Sequence, residues 1–292
     1  MHTAKTSLLD IAYLESGSQS GFPVIFIHGW PDDPLTWNRV APQLVEAGFR
    51  VITPYLRGCG PTRFLDPKTP RSGQLVALGQ DLVEFAASLG LERYAIVGHD
   101  WGARAAYIAS ALDAERITHC VALSVGYGTN SPKQTITIAQ MQNYWYHWMM
   151  ATERGRDVVR NHRHAFTRHV WNIWMPFWKA DDAEFNATAQ SFDNPDWADI
   201  VIHSYTVRWG NAAPYPEYAA LEAQFDPAPI LTTPTLVLHG ADDPVNSPAM
   251  SAGKERFFTG RYQRELIAQC GHFPQREQAD EVARQTIAWL RS

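Results

Sequence analysis

Gly98-His99-Asp100-Trp101-Gly102 is the stretch on which the reading of this chain turns. An apolar run, Tyr94-Ala95-Ile96-Val97, precedes it, and a helix-like segment from Ala103 to Leu112 follows. Strand, sharp turn and helix are the setting of a G-x-S-x-G nucleophile elbow, here with aspartate in the place of serine. Glycine flanks the central residue on both sides because so tight a turn leaves no room for side chains there. The aspartate changes the chemistry. A carboxylate attacks ester and amide carbonyls poorly, but it displaces a leaving group from a saturated carbon, and water can then hydrolyse the resulting alkyl ester. Epoxides and alkyl halides are the matching electrophiles.

Working outward, apolar strand-like runs alternate with helical patterns. Leu8 to Leu14, Val24 to Ile27, Val51-Ile52-Thr53, Ile117 to Val125, Thr235 to Leu238 and Arg264 to Ala268 read as strands. Helices are expected from Leu35 to Ala47, near Pro248 to Phe257 and near Gln278 to Leu290. Leu75, Leu78, Leu82, Phe85 and Leu89 recur at three- and four-residue steps, one apolar helical stripe. Short apolar strands separated by amphipathic helices imply an α/β fold with a mostly parallel sheet covered on both faces. Between Gly126 and about Phe225 the alternation stops. This stretch is helical in character and carries seven of the eleven tryptophans, with Trp171, Trp174 and Trp178 spaced for one helix face. It is predicted to be a helical cap, residues 126–225, inserted after the sixth strand of a core built from 1–125 and 226–292.

The bulk composition excludes several function classes. With 45% hydrophobic and 19% charged residues, the chain has the makings of a sizeable globular core. A formal charge of −5 and the lack of a dense basic run speak against nucleic acid or an anionic membrane as partner. Met1 to Gly17 lacks the apolar core of a signal peptide, and no stretch approaches the roughly 18 apolar residues of a membrane span. Cys59, Cys120 and Cys270 are odd in number, far apart and without metal-ligand spacing. Neither a disulfide framework nor a metal site is expected, and a cytoplasmic location is the simplest reading. The expected partner is a small-molecule substrate, with no cofactor, acted on by a monomer or homodimer.

An elbow of this kind calls for an acid after a late strand and a histidine near the C-terminus. His239-Gly240-Ala241-Asp242-Asp243-Pro244 follows one apolar run and Gly271-His272-Phe273-Pro274 follows the last. His272 would take a proton from the water that attacks the Asp100 ester. Asp243 would orient the imidazole, with Asp242 as the alternative. Backbone N–H groups of Trp30, in His28-Gly29-Trp30-Pro31, and of Trp101 would bind the oxyanion.

On these residues the chain resembles the α/β-hydrolase superfamily over nearly its whole length, with an eight-stranded sheet implied. Within it, the chain resembles the epoxide hydrolase and haloalkane dehalogenase branch. His28-Gly29-Trp30-Pro31 is similar to the HGxP motif of epoxide hydrolases, and the elbow is similar to those of both groups. Haloalkane dehalogenases typically carry Asn where Trp30 stands. Fluoroacetate dehalogenases typically carry Arg where Trp101 stands; Arg104 matches only their second arginine and is expected to pair with a neighbouring acid. The resemblance therefore implies an epoxide hydrolase, with haloalkane or haloacetate dehalogenase and a non-catalytic ligand-binding protein as alternatives. It also implies cap tyrosines that protonate the leaving oxygen: Tyr144 and Tyr205, with Tyr146 as the alternative. His28, Pro31, Trp148, Trp178 and Phe273 are expected to line the substrate pocket, and the aromatic cap suits an apolar, aryl-bearing epoxide. One departure stands in Tyr55-Leu56-Arg57-Gly58-Cys59-Gly60, where Tyr55 replaces the usual Asp.

Overall fold

In the central strand β3 (Phe22–Ile27), Val24 and Phe26 pack into one apolar cluster and Ile25 and Ile27 into another. The same alternation separates Ala95 and Val97 from Tyr94 and Ile96 in β6 (Tyr94–His99). Side chains alternate across a strand, so a strand that is apolar along its whole length must be covered on both faces. Each buried aliphatic side chain contributes about 1.5–3 kcal/mol to that packing.

The computed structural model describes residues 1–129 and 133–292. The remaining strands are β1 (His2–Lys5), β2 (Leu9–Ser16), β4 (Phe49–Pro54), β5 (Arg63–Phe64), β7 (Ile117–Leu123), β8 (Thr235–Gly240) and β9 (Tyr262–Ile267). Before β8 come helices α1 (Ala41–Glu46), α2 (Leu75–Ser88) and α3 (Trp101–Leu112). Then follow α4 (Ile138–Asn143), α5 (Trp145–Met150), α6 (Glu153–Asn161), α7 (Arg163–Trp174), α8 (Asp182–Ala189), α9 (Trp197–Val207) and α10 (Ala219–Ala223). The chain closes with α11 (Pro274–Glu277) and α12 (Ala279–Leu290). One face of the sheet carries α2 and α3 through Leu78, Leu82, Phe85 and Tyr107; the other carries α1 and α12 through Leu44, Val282, Ala283 and Trp289.

The sheet runs in the order β1-β2-β4-β3-β6-β7-β8-β9, parallel from β4 to β9 and antiparallel at β1–β2 and β2–β4. These eight strands form the expected sheet, and the two-residue β5 adds a ninth by pairing with β2. Because β5 has no sequence signature, the strand before the helical insertion, β7, is seventh in chain order rather than sixth. After β3 the chain winds outward to β4, and after β6 it winds the other way to β7. The exits of β3 and β6 are therefore neighbours at a topological switch point, where open α/β sheets form their clefts. Ile27 pairs with Gly98 in register, which brings the two exit loops side by side.

Two expected helices take other forms. Leu35 to Ala47 divides into a 3₁₀ turn, Pro34–Trp37, and the short α1. Pro42 has no N–H to give to the carbonyl of Asn38, so a continuous helix fails there. Pro248 to Phe257 holds only two 3₁₀ turns, Pro248–Ser251 and Glu255–Phe257, parted by Gly253 in the left-handed region at φ +65°. At the divergent loop after β4, Arg57 is buried and grips Asp81 of α2 through Nε at 2.6 Å and Nη2 at 2.7 Å.

Candidate active site

Asp100 is the joint between β6 and α3, and its backbone lies at φ +48°, ψ −110°. A non-glycine residue rarely adopts positive φ, and strain of this kind is held only where the surroundings over-determine it. Three glycines make the turn possible. A Cβ on Gly98 would run into Gly102, and one on Gly102 would run into the carbonyl of Ile27. A Cβ on Gly29 would meet the Asp100 Cβ at 2.5 Å. Without that methyl group, the Trp30 amide N–H reaches Asp100 Oδ1 at 3.1 Å. Trp101, the other expected oxyanion donor, is the first residue of α3, and its amide makes no hydrogen bond to this carboxylate. The positive end of α3 nevertheless favours a negative charge at Asp100.

The loops after β8 and β9 supply the other two groups. His272 Nδ1 lies 2.8 Å from Asp243 Oδ2, and His272 Nε2 lies 3.7 Å from Asp100 Oδ2. The longer contact is an ion pair rather than a hydrogen bond, and it leaves Nε2 without a hydrogen-bond partner among the described residues. Asp243 is buried, and its Oδ1 accepts from the amides of Val245 and Asn246 at 2.7 and 3.1 Å. His239 Nε2 adds a contact to Asp243 Oδ2 at 3.2 Å. Asp242, the alternative acid, points to solvent and reaches the loop through its amide, which donates to the Cys270 carbonyl.

Burial alone would raise both carboxyls and lower the imidazole, but the partners reverse each effect. His272 holds Asp100 well below the usual carboxylate range, and His272 with His239 does the same for Asp243. Asp243 and then Asp100 push His272 up to about 9. The resting site is thus a carboxylate–imidazolium–carboxylate array.

Several residues that sequence motifs did not single out build this frame. His99 Nε2 donates to the His272 carbonyl at 2.7 Å, and Ser124 Oγ donates to the same oxygen at 2.9 Å. A carbonyl only accepts, so the His99 proton sits on Nε2. Burial and then the charge on His272 push His99 down to about 4, keeping it neutral. The His272 amide donates to the Trp174 carbonyl at 3.0 Å, tying the base to α7. Asn246 Nδ2 donates to the Ser124 carbonyl at 2.9 Å.

Helices of the insertion close over Trp30 with aromatic rings. Its ring meets Tyr205 at 5.0 Å, Tyr146 at 5.5 Å, Trp174 at 5.7 Å, Phe166 at 6.0 Å and Trp197 at 6.4 Å. A cavity of about 20 Å³, room for little more than one water, adjoins them between Gly29, Trp30, Trp101 and Trp197. The hydroxyl of Tyr205 accepts from Trp101 Nε1 at 3.0 Å, which leaves its own proton to give. Tyr144 is differently placed from the expectation. Its hydroxyl donates to Asn246 Oδ1 at 2.7 Å, which engages its proton.

His147, between Tyr146 and Trp148, lies 4.5 Å from the Tyr205 ring, centroid to centroid. Trp209 Nε1 donates to its Nδ1 at 2.9 Å, and burial holds its pKa well below the ordinary value. The neutral ring must therefore carry its proton on Nε2, an atom that is buried and has no partner among the described residues.

The expected pocket residues scatter. His28 borders the small cavity, with Nδ1 donating to the Gly29 carbonyl and Nε2 accepting from the Leu56 amide. Phe273 is buried against His99, His272 and Trp174. The Pro31 carbonyl accepts from Trp171 Nε1 at 2.7 Å. Trp148 and Trp178 do not join the ring cluster on Trp30. Trp148 packs on Trp209 and donates to the Met141 carbonyl, while Trp178 lies under Arg39 and donates to Glu184. α7 ends at Trp174, before Pro176, so Trp178 does not share the face of Trp171 and Trp174. Among the described residues Arg104 pairs with no acid and bonds instead to Oγ1 and the carbonyl of Thr129, each at 3.1 Å.

The chain matches the α/β-hydrolase fold family over residues 23–279. It is 25% identical to Epoxide hydrolase A of Mycobacterium tuberculosis (strain ATCC 25618 / H37Rv), over 98% of this chain and 95% of that protein. The crystal structure of a candidate epoxide hydrolase from Klebsiella pneumoniae subsp. pneumoniae superposes with a TM-score of 0.94 at 36% identity, covering 100% of this chain and 97% of that one. A candidate epoxide hydrolase from Pseudomonas aeruginosa shares the fold at a TM-score of 0.83 and 22% identity, covering 99% and 94%. The chain belongs to the α/β-hydrolase fold family, among relatives named as epoxide hydrolases.

Proposed function

We propose that this chain hydrolyses epoxides to vicinal diols through an ester on Asp100. The observation that carries the reading is the divided environment of the Asp100 carboxylate. Oδ1 accepts from the Trp30 amide, while Oδ2 faces His272. In this reading Oδ2 attacks an oxirane carbon from behind and Oδ1 becomes the carbonyl oxygen of the ester. Tyr205 gives its proton to the opening oxygen while the Nε2–H of His147 donates a hydrogen bond to it; without a proton donor that oxygen would be too basic to leave at neutral pH. His147 takes the place first given to Tyr144, whose proton is engaged by Asn246.

Alkylation neutralises Asp100 and removes one of the two carboxylates that keep His272 protonated. Its pKa then falls and the proton it releases makes good the one Tyr205 gave up; the neutral imidazole then takes a proton from the water that attacks the ester carbonyl while the Trp30 amide holds the oxyanion. Asp243 keeps Nδ1 protonated and stabilises the imidazolium that forms. Residues 126–225 act as the cap that excludes bulk water, and entry of substrate requires its rings to part over Trp30. Relatives named as epoxide hydrolases support the substrate class. Three buried free cysteines suit a reducing, cytoplasmic setting.

A second reading, a dehalogenase on the same three residues, draws on one observation: the buried Trp30 indole N–H has no partner among the described residues and is free to donate to a halide. A single turnover of styrene oxide in ¹⁸O-water tests the first reading. The ester route places the label in the Asp100 carboxylate and releases an unlabelled diol. A labelled first-turnover diol would mean direct attack by water, and the absence of any diol would remove the epoxide assignment.

A further inference from the structure

α4, in the insertion, is buried the wrong way round for an amphipathic helix. Of its six residues only Gln140 is buried, whereas Ile138 is 79% exposed and Met141 45%. A polar side chain goes inside where it meets partners, and Gln140 meets two. Its Nε2 donates to the Val245 carbonyl at 2.6 Å, and its Oε1 accepts from the Ser247 amide at 3.0 Å. A carbonyl only accepts and a backbone N–H only donates, so the orientation of the Gln140 amide is fixed. The side chain thus spans the backbone on either side of Asn246, in the loop that carries Asp243.

Both peptide planes flanking Asn246 carry that grip to the acid. The Val245 carbonyl and the Asn246 N–H belong to one rigid plane. Gln140 holds the carbonyl, and the N–H donates to Asp243 Oδ1 at 3.1 Å. In the next plane the Asn246 carbonyl accepts from His239 Nε2 at 2.9 Å, while the Ser247 N–H is held by Gln140. His239 Nε2 in turn lies 3.2 Å from Asp243 Oδ2. A donor on the carbonyl of a peptide group also polarises its N–H, which strengthens the bond to Asp243. With Oδ1 pinned in this way, Oδ2 keeps its place 2.8 Å from His272 Nδ1. We infer that Gln140 is a positioning residue for Asp243, through which the insertion controls hydrolysis of the ester and leaves its formation untouched. Formation uses Asp100 and the leaving-oxygen donors, whereas hydrolysis needs His272 oriented by Asp243. The inference deepens the Asp100 ester reading and rests on it for these two steps, but the grip on the acid loop stands without it.

Two measurements on the full chain test it, the first without chemistry. The His272 Nδ1–H that faces Asp243 should give a low-field proton resonance in the resting protein, identified by its loss in Asp243→Asn. In Gln140→Met that resonance should move upfield and broaden. In Met141→Ala, which alters an exposed neighbour on the same helix, it should stay. Rapid-quench analysis with styrene oxide then reads the two steps. Gln140→Met should form the ester within about twofold of the unaltered rate and hydrolyse it about 10- to 100-fold more slowly, the effect of a slightly misplaced catalytic group. In the steady state kcat and KM should fall together while kcat/KM holds. A normal rate of ester formation also shows that the variant folds, and Gln140→Leu repeats the test if Met packs poorly. An unmoved resonance, unchanged hydrolysis, or an equal loss in both steps would overturn the proposal. A displaced resonance in a protein that forms no ester would uphold the role of Gln140 and remove the ester reading.

Discussion

His99 and His272 are joined at 2.7 Å, the imidazole of the residue before the nucleophile donating to the backbone carbonyl of the base. The elbow and the loop after β9 are thus braced by a neutral histidine with no place in the triad. Replacing His99 by Ala leaves that carbonyl to Ser124 alone. The variant should lose at least about 1–3 kcal/mol in urea denaturation. Its kcat should fall about 10- to 100-fold, the effect of a slightly misplaced catalytic group, with little change in KM. A variant with normal kcat would show that the brace does not position His272.

Asp243→Asn and Asp242→Asn should differ sharply. The first removes the charge that orients and protonates His272, and ester hydrolysis should slow by about 10²- to 10⁴-fold. The second alters an exposed side chain and should change neither rate nor stability by more than about 0.5 kcal/mol. Rapid-quench analysis of the ester separates the steps. Comparable losses in both variants would contradict the assignment of the acid.

Tyr205→Phe should slow ester formation by about 10²-fold or more, the usual worth of a general acid. Tyr144→Phe breaks the bond to Asn246 and should act mainly on stability. Quenching of the tryptophan fluorescence in single turnovers reads ester formation directly. The reverse order of effects would return the donor role to Tyr144.

Stability should peak close to pH 6.5. Burial pushes His28 and His99 down to about 4 and holds His147 well below its ordinary value, so the unfolded chain binds more protons as pH falls through this window. Stability from these groups is complete above about 6.5 and is lost toward pH 4. Burial raises Asp33 to about 7, which works in the opposite sense. His272, raised to about 9, contributes stability that is full below 6.5 and lost as pH rises through 9. Urea midpoints at pH 4.5, 6.5 and 9 check both flanks, and a monotonic profile would contradict this balance.

What could be read from the sequence was local. β3, β6, β7 and β8 each carry a short apolar run, and the residues placed at their exits need no knowledge of the rest of the fold. β1 escaped because most of its residues face solvent, and β5 because two residues carry no period. The donors were harder to read. Tyr144, Tyr146 and His147 lie within four residues, and a break between α4 and α5 at Tyr144 decides which of them turns toward Tyr205. That break is set by packing. The misplacement of Trp178 was avoidable, since Pro176 marks the end of α7.

The central claim, an ester on Asp100, is tested most directly by mass spectrometry of His272→Gln after incubation with styrene oxide and with a chloroalkane. Without its base the variant should form the ester and fail to hydrolyse it. Intact mass should rise by one styrene oxide, and peptide mapping should place the addition on Asp100. Addition of the alkyl group from the chloroalkane alone would make the chain a dehalogenase. An adduct on any other residue, or none with either reagent, would contradict the account.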